Sequence, residues 1–104
     1  MIFRRGRFGD VIGRQLDLFE LDHSDVIEEA ADKLSAYNRA DRDEAEELYG
    51  DYVDVVETGT ELLADIRDHY ADRLAEGSDE RYLRAFNRAV ERRWKPFALE
   101  IENR

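Results

Sequence analysis

Apolar residues along the stretch from Asp41 to Glu76 return at steps of four and three: Ala45, Tyr49, Tyr52, Val56, Gly59, Leu63, Ile66, Tyr70 and Leu74. That rhythm keeps side chains on one side of a helix. Leu48, Val53, Val55 and Leu62 widen the stripe beyond the narrow seam of a two-strand coiled coil, so the helix is expected to pack against two neighbours. Asp41 followed by Glu44 matches a capping box at the start, and Glu76-Gly77-Ser78 supplies a glycine stop with a serine to begin the next helix. Thr58-Gly59-Thr60-Glu61 could mark a break, but the stripe passes through Gly59 without losing phase. One continuous helix over 41–76 is therefore expected, with Gly59 on the inner face where a neighbour approaches closely.

Before it, Val11, Ile12, Leu16, Phe19, His23, Ile27, Ala30, Leu34 and Tyr37 repeat the same spacing behind Asp10, a plausible N-cap. The pattern predicts a helix over 9–38. Asp22-His23-Ser24-Asp25 is a run of weak helix formers, so a division into two helices with Ser24 as a fresh cap is the alternative. After the glycine, Tyr82, Leu83, Phe86, Ala89, Val90 and Trp94 predict a third helix over 79–95, which Pro96 should stop. Phe97-Ala98-Leu99-Glu100-Ile101 then forms an apolar tail expected to dock. No strand-like alternation, repeat or linker interrupts the series. The expected fold is all-α: an antiparallel three-helix up-down bundle with a long central helix, or four helices if the chain breaks near Ser24.

The chain of 104 residues suffices for one domain, 1–104, burying roughly 65% of its unfolded surface, with a short basic arm at 1–8. Ile2, Phe3 and Phe8 of that arm are expected to dock. Cysteine is absent, which removes disulfides, thiol nucleophiles and cysteine zinc sites. No apolar run follows the charged N-terminal residues, and no stretch approaches the roughly 20 apolar residues of a membrane span. The expectation is a cytoplasmic protein without membrane or nucleic-acid partners, its formal charge of −10 opposing both.

That charge is unevenly spread. Residues 1–40 carry six basic and eight acidic side chains, residues 41–80 three and fifteen, and residues 81–104 seven and three. An acidic middle helix beside a basic last one predicts that Arg81, Arg84, Arg88, Arg92 and Arg93 face carboxylates of the helix before them.

Candidate chemistry is sparse. Glu20-Leu21-Asp22-His23 supplies half of a di-iron bundle signature, but the other histidine, His69, has Ile66 where the second glutamate would stand. The hairpin register also sets the two histidines about 20 Å apart along the bundle. Asp65 and His69 read as a solvated i, i+4 pair. No Gly-x-Ser-x-Gly elbow and no phosphate loop is present. The tyrosines and Trp94 sit mostly at core positions.

Glu28, Glu29 and Asp32 lie level with Glu47 and Asp51 across the first hairpin, a set of carboxylates that could serve magnesium. The pattern loosely resembles the metal site of the all-α nucleotide pyrophosphohydrolases of the MazG type. That resemblance implies a metal-dependent nucleotide hydrolase. This chain departs from the pattern, having Gly50 three residues after Glu47 where the family carries an acid, and its acids point away from the apolar stripes. The primary expectation is a non-enzymatic protein-interaction or assembly module with no cofactor, binding a protein partner or forming a homodimer. Its interaction surface is expected around Leu18, Phe19 and Leu21, which make the first helix apolar over more than half its circumference.

Overall fold

The computed structural model describes residues 8–104. Five α-helices occur among them and no strand: α1 (Gly9–Asp22), α2 (Ser24–Asn38), α3 (Arg42–Ala71), α4 (Ser78–Arg93) and α5 (Ala98–Asn103), with a 3-10 turn at Lys95–Phe97 between the last two. The all-α expectation holds, in its four-helix version with the docked tail as a fifth short helix. No helix among the described residues is long and apolar enough to cross a membrane.

The single first helix expected over 9–38 is broken at His23, whose backbone leaves the helical region with φ −130° and ψ 35°. Its N–H still reaches the Phe19 carbonyl at 2.8 Å, while its own carbonyl accepts from Val26 and Ile27. Ser24 provides no cap. The residue that turns the chain is the histidine before it, whose ring rests on Phe19 with centroids 5.3 Å apart. The bend sends α1 across to α4, so Ile12, Leu16 and Phe19 are buried there.

The central helix is continuous through Gly59, as its phase predicts. Asp41 caps it by accepting from the Glu44 N–H at 3.2 Å. Thr58 starts no new helix, because its hydroxyl donates back to the Asp54 carbonyl at 3.1 Å within the same one. α3 ends at Ala71 rather than near Glu76, and the chain descends through turns to Gly77, where φ is +91°. That left-handed conformation suits glycine. No side chain caps α4, whose N-cap residue is Gly77, so Ser78 does not serve as the expected cap; Asp79 in the first turn accepts from the N–H groups of Gly77 and Glu80 through its Oδ1. α4 closes at Arg93, two residues before the expected end, with Trp94 extended. Pro96 then sits in the first turn of the 3-10 segment, where a missing N–H costs nothing.

Burial divides the molecule in two. The core of Phe8, Ile12, Leu16, Phe19, Leu63, Tyr82, Phe86, Val90, Phe97 and Ile101 belongs to α1, the second half of α3, α4, the 3-10 turn and α5. Phe8 docks against Tyr82 at 5.4 Å, as expected of it. Ile2 and Phe3 lie outside the described residues. By contrast, α2 and the first half of α3 form a two-helix arm whose buried residues are Ala30 and, at its root, Val56. The arm makes the molecule long, 51 × 31 × 21 Å, with a radius of gyration of 15.7 Å. A compact chain of this length would have a radius near ~13 Å.

Candidate functional site

Two surfaces carry features that the core does not account for. The first is the arm. Leu34 and Tyr37 of α2 and Leu48, Tyr52, Val53 and Val55 of α3 are only half-buried, and Tyr49 keeps half of its surface exposed. Tyr37, Tyr49 and Tyr52 stand in ring contact, at 5.2 Å and 6.3 Å between neighbouring centroids. Partial burial, and then the neighbouring Tyr49, raise the pKa of the Tyr52 phenol. Two helices alone cannot enclose stripes this wide, so the flanks face water. Residues 24–55 also carry 11 acidic and three basic side chains, a net of −8 that accounts for most of the chain's −10.

The second surface is a groove of about 520 Å³ where α1 crosses α4. Its walls hold Gly9 and Gly13 on one helix and Ala85 and Ala89 on the other, with Ile12 and Leu16 beneath. Small residues four apart on both helices leave the space open. Arg88, Arg92 and Arg93 line the α4 side. Arg93 is committed within the protomer: its guanidinium pairs with Asp17 at 2.8 Å and Glu20 at 2.7 Å and covers the Trp94 ring at 4.9 Å. Burial lowers its pKa, and the two carboxylates outweigh that effect to hold it raised. Arg88 and Arg92 are exposed and pair with no carboxylate among the described residues.

Among the described residues no salt bridge joins α3 to α4, where the charge pairing was expected. Arg93 reaches α1 instead of α3, because the break at His23 brings α1 onto α4. What joins α3 to α4 and α5 is Arg67, buried to 3% exposure, which donates to Asn87 Oδ1 at 2.9 Å, the Ile101 carbonyl at 3.0 Å and Asp68 Oδ1 at 2.8 Å.

Of the expected interaction residues, Leu18 (58% exposed) and Leu21 (76%) project into solvent from one side of α1. Phe19 does not join them. At 1% exposure it is buried against Trp94 and Phe97, the role its place on the main stripe assigns. Glu28, Glu29, Asp32 and Glu47 are exposed and Asp51 is half-buried. Among the described residues, no three His, Cys, Asp or Glu side chains come together in a way that could hold a metal ion. Glu20 is engaged by Arg93, and His69 meets Arg73 at 3.2 Å. The groove escaped the sequence reading, although its signal was present in the spacing of Gly9 with Gly13 and Ala85 with Ala89.

No protein-family model matches the chain, and neither a curated protein nor a solved structure matches it.

Proposed function

We propose that this protein is a non-enzymatic assembly module that binds a second copy of itself. The observation that carries the reading is the arm: a helical hairpin that projects from a well-packed body with the flanks of its apolar stripes still wet. A protein of this size stabilises itself by closing its core, and apolar surface left open on a projecting element favours association. Leu18 and Leu21 add exposed apolar area on α1, and Leu99 adds more on α5.

Sedimentation velocity across a hundredfold range of protein concentration tests this. A concentration-dependent shift from monomer to a defined larger species is expected. Leu48→Asp with Tyr49→Asp should weaken it markedly, with the circular dichroism spectrum showing the helices retained. A monomer at every concentration sinks the reading. Thermal unfolding with magnesium and a nucleotide panel addresses the hydrolase alternative, since a ligand at 100 times its dissociation constant adds roughly 2.7 kcal/mol of stability. No metal-dependent nucleotide shift is expected.

A further inference from the structure

We infer that the acidic arm of one copy docks in the α1/α4 groove of another, so that the contact joins two different surfaces. The inference rests on the self-association proposed above and adds its geometry.

Charge selects between the available arrangements. Arm against arm would set −8 beside −8. Every residue outside the arm together carries only −2, and the groove is where free cations meet apolar floor. Close like-charge juxtaposition across an interface is disfavoured, whereas complementary placement fixes which surfaces meet.

The shapes agree with this choice. Each element of the arm spans at least the 15 residues of α2, a length of about 22 Å at the helical rise. Gly13 and Ala89 leave the groove walls without bulk, so a helix can approach Ile12 and Leu16 with its own apolar side chains. Glu47 and Asp51 are four residues apart on α3. Arg88 and Arg92 are likewise four apart on α4. Residues four apart lie one above the other on a helix, so the two acids and the two arginines form rows of matching pitch. Two copies can exchange arms about a two-fold axis, which closes the assembly with two such contacts.

The test uses charge reversal at three exposed sites and the half-buried Asp51, and mixing. One variant carries Glu47→Lys and Asp51→Lys, the other Arg88→Glu and Arg92→Glu, and both are checked by circular dichroism for an unchanged melting profile. Each alone should self-associate at least tenfold more weakly than the unaltered chain in sedimentation velocity at low salt. Mixed in equal amounts, they should regain association, because the row at 47 and 51 of each copy then meets a row of opposite sign at 88 and 92 of the other. If the Arg88→Glu, Arg92→Glu variant associates like the unaltered chain, the groove is not the seat, while self-assembly stands. Two weakened variants that fail to rescue each other also overturn the pairing of these surfaces. An unaltered chain that remains monomeric removes the assembly function and this contact together.

Discussion

The ring of Phe97 fills the space where a side chain on residue 59 would stand: a Cβ built on Gly59 would lie 2.6 Å from Cε1 and 2.8 Å from Cζ of that ring, and 3.2 Å from Val26 Cγ1. Glycine here is a packing requirement. Gly50, in the same helix, has nothing within 4 Å of an added Cβ. Removing an interior helix glycine gains roughly 1 kcal/mol where the space is open. Gly50→Ala should therefore raise stability by about 0.5–1 kcal/mol. Gly59→Ala should lower it by about 1–2 kcal/mol, because overpacking against a buried ring outweighs the same gain. Urea denaturation of the two variants side by side checks the opposite signs, and a Gly59→Ala protein as stable as Gly50→Ala would contradict the packing.

Arg67 ties three helices together through one guanidinium. Arg67→Met keeps the length of the stem and removes the donors, leaving the Ile101 carbonyl and Asn87 Oδ1 short of partners. A loss of about 1–3 kcal/mol is expected, chiefly from the desolvated Ile101 carbonyl. The readouts are the urea midpoint and amide hydrogen exchange, which should accelerate selectively in α5. Uniform exchange across the body would show that α5 does not depend on this anchor.

Thr60 is fully buried, and its Oγ1 has no hydrogen-bond partner among the described residues. Thr60→Val exchanges an unsatisfied hydroxyl for a methyl and keeps the branch at Cβ. Stability should rise by about 1 kcal/mol, the scale on which burying an unpaired polar group is penalised. A thermal unfolding midpoint that falls would argue that the hydroxyl is satisfied in solution.

Tyr82 is fully buried, donates to Gln15 Oε1 at 2.8 Å, and has its pKa pushed up to about 12, chiefly by burial, with the Gln15 bond acting in the opposite sense. A phenol that ionises near ~10 when unfolded and near 12 when folded favours the folded state fully below pH ~10. As pH rises from about 10 to 12 the unfolded chain releases its proton first, so stability falls, by about 2–3 kcal/mol across that window. Tyr82→Phe should flatten this alkaline decline while costing about 1 kcal/mol near neutrality through the lost bond to Gln15. Denaturation at a series of pH values between 8 and 12 distinguishes the two slopes.

The elements were legible in the sequence because each rests on local physics. Helical phase through Gly59 marked α3 as continuous, Asp41 with Glu44 placed its start, and Pro96 marked the end of α4 to within two residues. The weak helix formers around His23 announced a break as one of two readings, since phase alone does not register a single residue leaving the helical region. Which surfaces meet was decided by the tertiary structure. The pairing of Arg93 with Asp17 and Glu20 and the groove between α1 and α4 exist because α1, broken from α2 at His23, lies against α4. Periodicity reports which side of a helix is apolar, and the neighbour that covers it depends on how far a connection turns the chain.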